Sequence, residues 1–87
     1  MLKIHKSVIG EVILKISGRM DAENVPDVRL SLESEVDSHR IVLDLRDLTL
    51  VDRDAVRFLA DCETDGVQIA NCSAYIREWI ALEKAAR

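Results

Sequence analysis

The chain has 87 residues and a formal net charge of −4, enough for one hydrophobic core and too short for two, so a single domain over residues 1–87 is expected. Lys and Arg are scattered among Asp and Glu instead of forming the basic face that phosphate neutralisation needs, which argues against nucleic acid as a partner. No segment approaches the ~20 apolar residues of a membrane span and the stretch MLKIHKSVIGEV carries no signal-length apolar run, so no membrane span and a cytoplasmic location are expected.

Leu2 and Ile4 alternate with Lys3 and His5, and Val12, Leu14 and Ile16 alternate with Glu11, Ile13, Lys15 and Ser17. That period of two predicts two strands with one buried face, joined as a hairpin through Gly10. The polar faces of both strands imply that one side of the sheet is left to solvent, and His5 falls on that side. After Gly18 the period changes. Val25, Val28, Leu32 and Val36 recur at helical spacing and predict a helix from about Ala22 or Asn24 to Val36, with Asp21 as its N-cap and Pro26 tolerable only in the first turn. Leu30 lies off the main stripe, as a core-flanking residue or part of a contact surface.

RIVLDLRDLTLVD reads as one central strand, with Ile41, Leu43 and Leu45 on one side, Val42 on the other, and Asp44 and Arg46 near the rim. A second helix of roughly ten residues follows, N-capped by Asp52, with Asp54 in its first turn, Val56, Leu59 and Ala60 on its apolar face and Gly66 just past its end. VQIA predicts a fourth strand. Ser73 is expected to cap a third helix in which Ile76, Trp79 and Ile80 form the buried stripe, Tyr75 and Leu82 flank it, and Lys84 and Arg87 suit the helix dipole. The expected architecture is α/β: an N-terminal hairpin, then βα units, giving a four-stranded mixed sheet with its helices on one face.

Chemistry is sparse. Cys62 and Cys72 stand ten positions apart without the spacing of zinc ligands and read as buried or half-buried reduced thiols, so neither metal nor cofactor is expected. VDRDAV places two aspartates one residue apart at a strand exit, the local string of phosphatases that form a phospho-aspartate. Such enzymes also need a larger core than 87 residues provide and a later lysine to balance the phosphoryl charge; Lys84 is the sole lysine after the motif. A receiver-type phospho-acceptor fails for the same reasons. The simpler account is that Asp52 caps a helix, contributing ~1 kcal/mol, and Asp54 complements its dipole.

GRMDAENVPDVRLSLE, RIVLDLRDLTLVDRDAVRFL and GVQIANCSAYIREWI together resemble the STAS domain, the sulphate transporter and anti-sigma factor antagonist module, from about Val12 to Ile80. Gly18 and Asp21 match that family's G-x-x-D start, Leu43, Asp44 and Leu45 its LDL, Asp52 its aspartate before the switch serine, Ala55 its small residue and Val56 its leucine. The resemblance implies a noncatalytic protein-interaction domain of a bacterial partner-switching system whose partner is a protein such as an anti-sigma factor or a serine kinase. It also implies a docking surface made by the first helix and the loop before Asp52, rimmed by Asp21, Asp52, Arg53, Asp54 and Arg57. A nucleotide or other small ligand is the alternative partner that the resemblance allows. In the antagonists the serine directly after the aspartate is phosphorylated; here that position is Arg53, which cannot accept phosphate as serine does. Asp54, with about one negative charge where phosphoserine carries ~1.5 to 2, is at best a partial mimic.

Overall fold

The computed structural model describes residues 2–34 and 40–86. Strands β1 (Lys3–Val8) and β2 (Val12–Met20) form the expected antiparallel hairpin. Gly10 in its turn has φ +74, the left-handed region that glycine enters without penalty. Register places Ile4 against Ile16 and His5 against Lys15, so Val12, Leu14 and Ile16 share the core face and Lys3, His5, Lys15 and Ser17 the other. β3 (Ile41–Asp44) and then β5 (Gln68–Ala70) extend the sheet in parallel, in the order β1-β2-β3-β5. Ile41 and Leu43 pair with Val12 and Leu14 on the core face, while Val42 pairs with Ile13 on the opposite one.

The expected single central strand is two strands. β3 stops at Asp44, whose Oδ1 accepts the Arg46 N–H at 3.0 Å, and Leu48 N–H donates to the Leu45 carbonyl at 3.2 Å. This turn sends β4 (Leu48–Val51) to pair in parallel with the far end of β2, across a register shift between Gly18 and Arg19. The sheet therefore has five strands, one more than the apolar pattern alone predicts. An aspartate that bonds its own backbone two residues on offers an alternative to the ladder, and it breaks the strand inside an otherwise continuous apolar run.

Helix α1 (Val25–Glu33) starts later than an Asp21 cap would require, because its N-cap is Asn24. A start at Ala22 would put Pro26 in the helix interior, where its missing N–H and its ring both clash with the ladder; a start at Val25 leaves it in the first turn. Asp21 instead heads the preceding turn, accepting the Glu23 N–H at 3.0 Å on Oδ1. Val28 and Leu32 are buried and Leu30 is 65% exposed; the expected end at Val36 lies outside the described residues. Helix α2 (Arg53–Thr64) is capped by Asp52 as expected, and closes with Val67 N–H donating to the Cys62 carbonyl and Gly66 N–H to that of Glu63. That pair of bonds is the Schellman arrangement, with Gly66 at φ +98 in the residue position past the cap.

Helix α3 (Ala74–Ala85) follows Ser73, which holds the N-cap position without a side-chain hydrogen bond. Ile76 and Ile80 are fully buried, but Trp79 is only half-buried at the edge of the core, so the expected three-residue buried stripe contains two isoleucines and Glu83. Arg87 lies outside the described residues. The core joins Val12, Leu14, Ile16 and Met20 of β2 and Leu43 of β3 to Val28, Val56, Leu59, Ile76 and Ile80 of the helices. All three helices thus cover one sheet face, and the other carries the polar side chains of β1 and β2.

Candidate functional site

The start of α2 is where the candidate residues meet. Asp52 leaves β4 in extended conformation, φ −104 and ψ 179, which points its carboxylate back over the first turn. Oδ1 accepts the Ala55 N–H at 2.9 Å. Oδ2 accepts the N–H of Ala22 at 3.0 Å, thirty residues earlier in the chain. The Asp52 N–H in turn donates to the Met20 carbonyl at 3.3 Å. One carboxylate therefore caps a helix and fastens the β2–α1 loop to it, satisfying two backbone donors that would otherwise need water. Asp21 sits in that same loop, its N–H donating to Asn24 Oδ1 at 3.1 Å, so Asp21 and Asp52 are brought together through the backbone between them.

The other three residues diverge around α2. Asp54 and Arg57 border a shallow groove between α1 and α2 that Ala22, Val25, Arg29, Phe58 and Asp61 complete. Arg29 holds its guanidinium 5.1 Å from the centroid of the Phe58 ring, a cation–π contact that keeps the groove's apolar floor covered. Arg53 turns the other way, toward α3. Its Nε donates to Glu83 Oε1 at 3.2 Å, and Arg57 Nε lies 3.8 Å from Glu83 Oε2. The Glu83 side chain is only 11% exposed, against 69% for Arg53 and 52% for Arg57. A carboxylate this buried requires counter-charge, and the two arginines supply it from the helix that packs alongside.

Glu83 is the residue that sequence reasoning misses. Its signal is its spacing: three residues after Ile80 and seven after Ile76, it falls on the buried line of α3, where an acidic side chain needs a partner. A second ionic group fastens α2 to α3 further along. Arg77 donates from Nη1 and Nη2 to the two carboxylate oxygens of Glu63, both at 2.9 Å, and Lys84 also reaches Glu63. The Arg77 hydrogen bonds, followed by that of Lys84, hold the Glu63 carboxyl down to about 2.

Burial, reinforced by Asp65, pushes the Cys62 thiol up to about 12, and burial also raises Cys72, so neither carries a thiolate nucleophile at neutral pH. Among the described residues no cluster of three or more His, Cys, Asp or Glu side chains is placed to hold a metal ion. No described helix is long and apolar enough to cross a membrane. What the α2 start offers is a fixed polar surface on a rigid helix end.

A family model described as the STAS domain matches residues 1–80. None of the curated proteins matches the chain. The hairpin, the mixed sheet and the three helices agree with the fold of that family, and the match covers all but the last turns of α3. The chain belongs to the STAS domain family.

Proposed function

We propose that this chain is a noncatalytic docking domain, residues 1–87 as one unit, of a bacterial cytoplasmic partner-switching system that works without the serine switch. STAS domains are in general protein-interaction modules without catalytic activity, and the partner here is a protein such as an anti-sigma factor or a serine kinase. Asp21, Asp52, Arg53, Asp54 and Arg57 rim the docking surface. Asp52 holds the loop against α2, while Asp54 and Arg57 present opposite charges at the groove between α1 and α2. Charged rims of this kind steer association and reject wrong partners more than they supply affinity. The observation that carries the reading is Arg53: at the position of the switch serine, its side chain is engaged by Glu83 at 3.2 Å.

The test is incubation of the protein with a STAS-directed serine kinase and ATP. Residues 51–56 are expected to stay unmodified by mass spectrometry while the kinase or its anti-sigma counterpart binds the protein; phosphate on that segment would refute the reading.

A small-ligand or nucleotide module is the second reading. It draws on a groove of about 450 Å³ lined by Arg29, Leu32, Arg40, Phe58 and Cys62, within the ~300–1,000 Å³ of ligand pockets. Calorimetric titration with ATP and GTP separates the two: saturable binding lost in Arg40→Ala favours the ligand module.

A further inference from the structure

Among the described residues three strands border the sheet, and their margins differ. β5, at one end, is three residues long, and a strand that short offers little to pair with. β4 pairs with β2 alone, and the Tyr75 hydroxyl of α3 donates to its Thr49 carbonyl at 3.0 Å. β1, at the other end, is six residues long and pairs with β2 along its whole length in unbroken register, with no described strand on its outer side. Its sequence, KIHKSV, contains neither proline nor glycine to interrupt a ladder. Alternate residues of β1 therefore turn N–H and C=O groups out of the sheet, at a spacing that an extended chain matches.

Ile4, Lys6 and Val8 stand on the core side of this margin, in register with Ile16, Leu14 and Val12; Lys3, His5 and Ser7 stand on the open side, in register with Ser17, Lys15 and Ile13. Val8 is 55% exposed and Ile4 half-buried, so the core side keeps uncovered apolar surface, while Lys3 and His5 are exposed on the other. Every ionisable residue of β1 and of the β2 positions paired with it is basic: Lys3, His5, Lys6 and Lys15. Asp47 is 3.1 Å from Lys15 and Glu11 lies beyond the ladder, in the turn, so no carboxylate stands in register with Lys3 or His5. Lysines on an edge oppose pairing with a second copy, because β1 laid against β1 sets Lys3, His5 and Lys6 among themselves. An acidic strand meets the same residues as opposite charges.

We infer that β1 receives an extended segment of a partner protein as an added strand, and that this segment alternates Asp or Glu with apolar residues. Its carboxylates stand beside Lys3 and His5 on the open side, its apolar side chains beside Ile4 and Val8 on the core side, and its backbone continues the ladder. The ladder supplies affinity, and the alternation decides which way the segment faces. This site goes beyond the function proposed above. None of Asp21, Asp52, Arg53, Asp54 and Arg57 belongs to β1, so either reading can fail without the other.

The probes are a synthetic peptide of about eight residues, enough to span β1, that alternates glutamate with valine; the same peptide with lysine for glutamate; and the glutamate peptide with alternate backbone nitrogens methylated along either edge. Hydrogen exchange followed by NMR reads the outcome. Saturating glutamate peptide is expected to slow exchange at alternate amides of β1 by at least ~10-fold, and to bind roughly 10-fold more tightly than the lysine peptide, since two cross-strand positions change from opposite to like charge. Methylation along one edge of the peptide should abolish binding and along the other leave it intact. Lys3→Glu combined with His5→Glu should reverse the preference between the two peptides, with the urea midpoint and the kinase or anti-sigma pull-down unchanged. No protection in β1, equal binding of both peptides, binding that survives methylation along either edge, or protection that appears with protein concentration alone would each overturn the assignment, the last by giving the margin to a second copy.

Discussion

Asp52 makes two backbone bonds that a single substitution can separate. Its Oδ1 takes the Ala55 amide at 2.9 Å and its Oδ2 the Ala22 amide at 3.0 Å. Removing an N-cap carboxylate costs about 1 kcal/mol, and losing a further hydrogen bond to a charged acceptor at a partly exposed site costs about 1 kcal/mol more. Asp52→Ala should therefore lower unfolding stability by about 2 kcal/mol. Asparagine caps as well as aspartate does, but it has one acceptor oxygen where two are used, and its amide would face an N–H donor. Asp52→Asn should then fall between, at about 1 kcal/mol. Urea denaturation of the three proteins gives the stabilities, and hydrogen exchange at the Ala22 amide locates the loss: exchange should quicken in both variants. If Asp52→Asn matched the wild type in both measurements, the tie between the β2–α1 loop and α2 would contribute nothing and the account of the site would fail.

Three further outcomes follow from the geometry. Glu63, held near 2 by Arg77 and Lys84, has a folded-state pKa below its ordinary value; its stabilisation is fully present above ~4.5 and is lost as pH falls toward ~2. Because Arg77 and Lys84 are themselves 41% and 38% exposed, solvent screening cuts the effect to about 1–2 kcal/mol, so Glu63→Gln should be less stable than wild type by that amount at pH 7, and the gap should shrink as pH falls below ~4.5 and close only below ~2; a gap independent of pH would contradict this. Gly66→Ala meets no atom within 4 Å, so its cost is the left-handed backbone alone, about 1–2 kcal/mol in thermal or urea unfolding, and a neutral result would mean the α2 end relaxes. Trp79→Ala, at a half-buried site, should cost about 2 kcal/mol, below the ~3–5 of a fully buried tryptophan, and a cost under about 1 kcal/mol would detach Trp79 from the core.

The elements most legible in the sequence are those whose period is uninterrupted. Alternation through Val12, Leu14 and Ile16 is strict and yields β2 with its buried face. Asp52 followed by an apolar helical face yields the N-terminus of α2 and its cap. Where the reading departs from the structure, a polar residue competes with the pattern. Asp44 bonds the Arg46 N–H and turns the chain, splitting in two what an apolar run of LDLRDLTLV presents as one strand. Pro26 overrides the attraction of Asp21 as a cap and moves the start of α1 to Val25. Asp52, Arg53, Asp54 and Arg57 were nameable because they lie within six positions of one another, and Asp21 through its match to the G-x-x-D start of the family. Glu83, thirty residues from Arg53, was not: a single acidic residue on a helix face gives no sign of which distant arginine will neutralise it.

Glu83 also gives a physical reason for the arginine at position 53. A positive charge in the first turn of a helix opposes the dipole and costs a few tenths of a kcal/mol up to about 1, so helix stability does not select it. A carboxylate with 11% exposure, by contrast, is costly without counter-charge, and Arg53 is the nearer of its two partners, 3.2 Å against 3.8 Å. A serine at this position would leave Glu83 to Arg57 alone. A phosphoserine would add negative charge on the side from which Arg53 now neutralises that carboxylate. Position 53 and the α3 surface it faces are thus matched for a cation.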